Sequence, residues 1–302
     1  MAFRVANKTA IITGAGSGIN LSFAKLLLQK NCNVVFADLA LRPEAREIVD
    51  KYAFTSTKSR PQAVFQKTDV TRWAELDTMF KVAEDVFGGA DIVCPGAGVY
   101  EPPFSNFWNP PGAPPSKDDQ SSSRYALLDI NLTHPIRTTQ LAISHFLAKK
   151  KPGVVVHISS IAGQRPFFPT PVYVATKHAI SGFVRSLAPL ESVEDSSLPK
   201  IRVNAVAPGV IKTPLWTENK EKLQMIDQSA DDWATPEEVA QVMLDLVERD
   251  EYVGGTVLEV GKGQVRRVEA FNDPGPSGSG HTVSNVDNLE SEIYASLRER
   301  MG

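Results

Sequence analysis

The sequence predicts an α/β fold in which a doubly wound parallel sheet is flanked by helices, in a single domain followed by a C-terminal extension. Three observations carry this expectation. Short β-branched runs alternate with helical patterns along the chain. A glycine turn, Gly14-Ala15-Gly16-Ser17-Gly18, follows the first run and opens the first helix. The second run ends in an acidic residue, Asp38, about twenty positions further on.

Thr9 to Thr13 is a compact apolar run that reads as the first strand, and Leu21, Ala24, Leu27 and Leu28 recur at helical spacing after the turn. Glycines let backbone N–H groups approach a pyrophosphate, and the positive end of the following helix favours the anion. Val34 to Ala37 reads as the second strand. Asp38 at its end is placed to accept hydrogen bonds from both hydroxyls of an adenosine ribose and to repel a 2′-phosphate, a repulsion that nearby Arg42 would soften. Ala63 to Lys67 supplies a third strand, Arg72 to about Phe87 a helix that Asp69 is placed to cap, and Asp91 to Val93 a fourth strand.

From Tyr100 to Arg124 the chain is rich in proline and serine around Phe104, Phe107 and Trp108. Such a stretch forms no regular element, and its aromatics place it at the rim of a substrate pocket. A helix is expected from about Arg124 to Lys150, with a local irregularity near Asn131 because Pro135 removes a helical donor. Val154 to Ile158 is a fifth strand, Ile201 to Val206 a sixth and Thr256 to Val260 the last. Thr235-Pro236-Glu237-Glu238 is a capped helix start with Thr235 as N-cap, and its helix runs to about Arg249. The domain therefore spans residues 1–261, with the insertion at about 100–124, and residues 262–302 form a flexible extension. Within it, Val286, Leu289, Ile293 and Leu297 make one apolar helical stripe that covers a pocket, binds a neighbouring subunit or frays.

A chain of 302 residues, 42% hydrophobic and 22% charged, buries a substantial core without disulfide or metal staples. A net charge of −3 and a pI near 6.0 give no electrostatic footprint for nucleic acid or an anionic membrane. The amino terminus lacks the apolar core of a signal peptide and no run approaches a membrane span, so a cytoplasmic protein is expected. Cys32 and Cys94 read as small buried hydrophobes, which suits a reducing compartment, and the five histidines show no paired ligand spacing, so no metal is assigned.

Chemistry concentrates between Ile158 and Lys177. The fifth strand ends in Ser159 and Ser160, and Tyr173 and Lys177 stand four apart, on one face of the helix that follows. An ammonium on that face stabilises a phenolate and lowers a phenol pKa that is otherwise about 10, giving an acid and base usable near neutrality. A Tyr-x-x-x-Lys pattern also arises by chance on solvated helix faces. Here a nucleotide site precedes it and a proline-glycine turn, Pro208-Gly209, follows it in order.

In these motifs, across roughly Lys8 to Gly261, the chain resembles the short-chain dehydrogenase/reductase superfamily of the classical type, which implies a Rossmann-type fold. The resemblance implies a catalytic set of Asn131, Ser160, Tyr173 and Lys177, with the backbone carbonyl of Asn131 holding a water that links the lysine to bulk solvent. Ser160, thirteen positions before Tyr173, matches the serine of that set better than Ser159, whose side chain points the other way if the strand continues. It further implies a cofactor site built from Gly14, Ser17, Gly18 and Ile19, from Asp38 and Leu39, and from Asp69 and Val70 against an adenine. Gly96, Tyr173 and Lys177 would meet the nicotinamide ribose side, and Pro208, Gly209, Ile211 and Thr213 the nicotinamide. Leu215 to Asp232 occupies the place of a substrate flap.

Two departures stand out. The family's turn has glycine where this chain has Asn20, whose side chain is expected to point to solvent or cap a local backbone group. The stretch Cys94 to Gly98 carries Pro95 and Gly96 where the family has two asparagines, so side-chain hydrogen bonds that knit the sheet there are expected to be missing.

The expected activity is NAD(H)-dependent interconversion of a secondary alcohol and a ketone, with NADP disfavoured by Asp38. A small substrate with apolar or ring character is expected from Phe167 and Phe168 beside Gln164 and Arg165, and the chain is expected to form a homodimer or homotetramer. One alternative is reduction of another carbonyl or an imine in a specialised pathway, with NADP(H) open to it. A non-enzymatic dinucleotide-binding protein is the other, and the complete Ser160, Tyr173 and Lys177 set argues against it.

Overall fold

The computed structural model describes residues 3–55, 61–218, 223, 232–270, 294–295 and 297–299. Eight strands form one sheet in the order β3-β2-β1-β4-β5-β6-β7-β8. They are β1 (Thr9–Thr13), β2 (Asn33–Asp38), β3 (Ala63–Lys67), β4 (Ile92–Cys94), β5 (Gly153–Ile158), β6 (Ile201–Pro208), β7 (Val257–Gly261) and β8 (Gln264–Arg267). The first seven run parallel, and β8 returns antiparallel beside β7. Residues 264–267 thus extend the sheet, where the sequence places them in a flexible extension. Their side chains are all exposed, so no apolar alternation marks the strand.

Side-chain alternation divides the core between the two faces of the sheet. Ala10, Ile12, Val34 and Phe36 pack on one face with Phe23 and Leu27 of helix α1 (Gly18–Gln29) and with Met243 of helix α9 (Pro236–Glu248). Ile11, Val35 and Val93 face the other side, against α3 (Trp73–Phe87), α5 (His134–Ala148) and α6 (Pro171–Ser186). Strands buried on both faces are why their sequences read as continuous apolar runs. The remaining helices are α2 (Pro43–Lys51) and the single turns α4 (Ala126–Leu128), α7 (Pro189–Ser192) and α8 (Pro214–Thr217).

Several local expectations are met with their mechanism visible. Thr235 Oγ accepts the Glu238 amide at 3.1 Å while the Glu238 carboxylate accepts the Thr235 amide at 2.7 Å, a reciprocal cap for α9. The irregularity near Asn131 is a π-helical turn, Asp129–Thr133, joining α4 to α5. Pro135 has no N–H to return to the Asn131 carbonyl, so the regular ladder breaks there. Asp69 is not the N-cap of α3, a position held by Arg72; its carboxylate instead accepts from the Thr71 amide at 3.0 Å and the Thr71 hydroxyl at 2.7 Å.

Residues 100–124 form a compact, pinned loop. Ser105 donates to Asp118 at 3.0 Å and accepts the Leu127 amide at 2.9 Å, and Asp118 accepts the Ala126 amide at 2.8 Å. Of the apolar stripe in the extension, Val286, Leu289 and Ile293 lie outside the described residues. Leu297 and Tyr294 pack against Leu147, Val193 and Leu198, and Arg298 pairs with Asp195. These contacts sit beside the ends from which β5 and β6 start, so this part of the extension covers the edge of the sheet opposite its C-terminal ends.

Candidate active site

Strand order reverses between β1 and β4, so the loops leaving their C-terminal ends part and leave a crevice. A cleft of about 540 Å³ lies there. Every residue assigned to the cofactor from the sequence lines it: Gly14, Ser17, Gly18, Ile19, Asp38, Leu39, Asp69, Val70, Gly96, Tyr173, Lys177, Pro208, Gly209, Ile211 and Thr213. Ser160 lines it as well; Asn131 does not, and stands behind it. Most of the expected flap, residues 219–222 and 224–231, lies outside the described residues.

The glycine turn is shaped as a cradle. Gly14 has φ 69°, and a Cβ there would lie 2.8 Å from the Ala97 Cα; at Gly16 it would lie 2.4 Å from the Ala40 carbonyl oxygen. The Gly16 amide donates to the Asp38 carboxylate at 2.7 Å, which fixes that side chain at the strand end. The Arg42 guanidinium makes a two-bond pair with Glu218 at 2.5 and 2.6 Å.

Asn20 departs from its expectation. It is 8% exposed, lines the cleft, and its side chain lies against the turn and against Gly96. A Cβ at Gly96 would fall 2.3 Å from Asn20 Oδ1, so the carboxamide occupies the room that glycine at 96 leaves open. Oδ1 is buried with no hydrogen-bond partner among the described residues. The sheet is also knitted where that was expected to fail. Thr13 Oγ accepts the Ala97 amide at 3.1 Å and meets His134 Nε2 at 3.0 Å. Burial pushes His134 down to about 4 and keeps it neutral, so Nδ1 donates to the Ile130 carbonyl and Nε2 accepts from Thr13.

At the far end of the cleft, Ser160 caps the short 3₁₀ turn Ile161–Gly163, its hydroxyl accepting the Ala162 amide at 3.1 Å, and it lines the cleft together with Tyr173. Ser159 turns the other way and is spent on the Lys177 carbonyl and Ser181. Lys177 Nζ donates to the Ile158 carbonyl at 2.8 Å and stands 5.4 Å from the centre of the Tyr173 ring. The Asn131 carboxamide clamps the backbone of Val99, accepting its amide at 2.9 Å and donating to its carbonyl at 2.8 Å. That fixes the loop carrying Gly98 between Asn131 and Lys177.

The electrostatics differ from the expected lowering of the phenol. Burial pushes Tyr173 up to about 12, a rise opposed by the nearby Ser160 hydroxyl and reinforced by Tyr100. Burial lowers Lys177 to about 8. In the chain alone the ammonium is held on a carbonyl and does not offset the cost of desolvating a phenolate. Sequence reasoning also missed the aromatic wall: Tyr100 stands edge-on to Tyr173 at 4.7 Å and tilts against Trp216 at 5.2 Å. The only signal for Tyr100 was its position as the first aromatic of the insertion.

A doubly wound sheet with a glycine cradle, an acidic residue at the end of β2 and a serine, tyrosine and lysine in one cleft defines a nucleotide-dependent oxidoreductase. The sequence profile described as short chain dehydrogenase matches residues 8–224. The chain belongs to the short-chain dehydrogenase/reductase superfamily of NAD(P)-dependent oxidoreductases, whose members here act on alcohols and ketones. It is similar to 15-hydroxyprostaglandin dehydrogenase [NAD(+)] of Rattus norvegicus, with 27% identity covering 85% of this chain and 91% of the relative. L-fucose dehydrogenase of Bos taurus is 32% identical over 72% of this chain and 71% of its own. Among solved structures, 3-ketoacyl-(acyl-carrier-protein) reductase from Brucella melitensis complexed with NADH aligns with a TM-score of 0.67 at 25% identity, over 86% of this chain and 98% of that one.

Proposed function

We propose that the protein is an NAD(H)-dependent oxidoreductase that interconverts a secondary alcohol and a ketone, with Tyr173 as the acid and base. The observation that carries this reading is that Ser160, Tyr173 and Lys177 line one cleft, with the Lys177 ammonium 5.4 Å from the centre of the Tyr173 ring. The chain fits a dinucleotide: Gly14 and Gly16 form a cradle that a Cβ would fill, and a Cβ at Gly18 would come within 3.4 Å of Thr213 across the cleft. When bound, a nicotinamide cofactor would accept a hydride in its oxidised state, supply one in its reduced state, and carry positive charge when oxidised.

The chain's own residues do the rest. In oxidation the Tyr173 oxygen takes the hydroxyl proton of the substrate as its C–H bond yields the hydride; in reduction the phenol returns a proton to the new alkoxide. Ser160 Oγ bonds the reacting oxygen and holds it within reach of the phenol. Lys177 would hold the ribose, and its ammonium with the charge of an oxidised nicotinamide would offset the burial that raises the phenol. Asn131 holds Val99 and leaves its own carbonyl for a water that links Lys177 to solvent.

Asp38 supports NAD over NADP, because a fixed carboxylate loses its ribose bonds against a 2′-phosphate and repels it, while Arg42 is occupied by Glu218. Tyr100, Phe167 and Trp216 give the substrate side apolar and aromatic walls, which supports a ring-bearing or apolar substrate. In the same reading the chain assembles as a homodimer or homotetramer, which light scattering measures. The functional test is fluorescence titration with NADH and NADPH, followed by a panel of secondary alcohols and ketones monitored by nicotinamide absorbance. NADH should bind more tightly, and turnover should be fastest with apolar or ring-bearing compounds. Tighter NADPH binding would overturn the cofactor assignment, and turnover confined to small polyols would overturn the substrate class.

A further inference from the structure

Helix α6 carries both Tyr173 and Lys177, yet its first turn is poorly provided for by its own sequence. Thr170 stands at the N-cap position without a side-chain cap bond, Pro171 has no N–H, and no acidic residue lies in the first turn. The amide of Tyr173 itself is one of the donors that such a start leaves without a partner in the helix.

Its partner comes from 72 positions away. Glu101, at the base of the proline-rich loop, is 4% exposed and sends one carboxylate oxygen to the Tyr173 amide at 2.8 Å. The other oxygen accepts the Phe107 amide at 3.0 Å, so one side chain joins the loop to the helix. Glu101 adopts φ 32°, in the left-handed region that a residue with a Cβ seldom occupies, and its own carbonyl accepts the Asn106 amide group at 3.1 Å. Such a conformation is retained where surrounding contacts over-determine it, commonly at functional sites. The preceding residue adds a second hold, since the Tyr100 ring meets the Tyr173 ring edge-on.

We propose that Glu101 is a positioning residue for Tyr173: its carboxylate caps the helix at the reacting residue and makes the insertion and that helix one unit. This rests on the reading of Tyr173 as the acid and base. A carboxylate at a helix start is also favoured by the helix dipole, and it accepts from two amides at once, which neither a neutral amide nor a shorter side chain reproduces. The insertion therefore sets the geometry of the phenol, and Tyr100 at its start lines the cleft. A loop that shifts by about 1 Å carries the phenol out of line with the substrate oxygen, where proton transfer is steeply sensitive to placement.

The test compares the parent with Glu101→Gln and Glu101→Ala, with sites counted by NADH titration so that unfolded protein does not enter the rate. We expect NADH affinity to stay within about twofold, because the cradle is untouched. The rate per site should fall about tenfold or more in Glu101→Ala, with a smaller fall in Glu101→Gln, which keeps one acceptor. The solvent deuterium isotope effect on that rate should rise, a change that a loss of folded protein alone does not produce. Hydrogen exchange should quicken together in the peptides covering 102–117 and 171–177 of Glu101→Gln, a near-isosteric change that spares the fold. An unchanged rate per site, or exchange that quickens in one peptide only, would overturn the proposal. Tyr173→Phe serves as the control. If it stays active, the reading of Tyr173 fails; if it is inactive while both Glu101 variants match the parent, only the positioning role fails.

Discussion

The reciprocal fit of Asn20 and Gly96 makes a prediction with a size. In Gly96→Ala the new Cβ would lie 2.3 Å from Asn20 Oδ1 and 2.7 Å from its Cγ, so the carboxamide has to retreat by about 1 Å to reach ordinary contact. The glycine turn stands on its other flank, where Nδ2 already lies 3.0 Å from the Cβ position of Gly14, and the open direction is the cleft. Overpacking of this kind costs about 1–3 kcal/mol, and because the side chain escapes into the dinucleotide's space the cost falls on binding more than on folding. NADH affinity should therefore weaken by about 5- to 150-fold, with a small change in melting temperature. Asn20→Gly removes the obstacle together with an unpartnered buried oxygen, so Asn20→Gly/Gly96→Ala should recover most of the lost affinity. Fluorescence titration of the four proteins with NADH measures the cycle. Equal affinity in Gly96→Ala and the parent, or a double variant no better than Gly96→Ala, would refute the reciprocal fit.

Three further outcomes follow from the same geometry. Asp38→Ala should weaken NAD more than NADP and narrow the gap between them, while weakening both somewhat because the Gly16 amide loses its acceptor; an unchanged ratio in paired titrations would count against Asp38 as the reader. Lys177 has a folded-state pKa near 8, below its ordinary 10.5, so the unfolded chain binds more proton between those values and stability should rise with pH from about 8. Tyr173, raised to about 12, acts in the opposite sense only above its ordinary value of 10.0, and the buried Cys32 and Cys94 thiols, raised by burial, do so above 9.0, so melting curves between pH 8 and 9 should show the rise in the parent and lose it in Lys177→Met. Deleting residues 271–302 uncovers Leu147, Val193 and Leu198 and should lower the melting temperature by about 2–4 °C while leaving substrate KM unchanged, as steady-state kinetics would show; a shifted KM would place the tail at the cleft.

Much of this architecture was legible because it rests on local chemistry. The bounds of β1 and β3, the Thr235 cap and the break beside Pro135 each follow from a few adjacent residues, and the cofactor cradle follows from glycine spacing. What escaped depends on partners far along the chain. Asn20 turns inward because Gly96, in the loop that follows β4, leaves it room, and the local rule for a helix-start asparagine contains no such information. Glu101 reads as an ordinary loop acid until the fold brings it to the Tyr173 amide. The phenol's raised pKa is likewise a sum over surrounding atoms, whereas the Tyr-x-x-x-Lys spacing conveys only that an ammonium is near. Strand β8 stayed hidden because all four of its side chains face solvent.

The proposed alcohol–ketone interconversion rests on the Tyr173 phenol carrying the proton. Its most direct measurement is the single-turnover rate of Tyr173→Phe, saturated with NAD, on the secondary alcohol that the parent oxidises fastest. The substitution removes one hydroxyl and little packing, so NAD affinity should stay close to that of the parent while the rate falls by at least about a hundredfold. A variant that binds NAD as the parent does and keeps most of the parent's rate would contradict the claim.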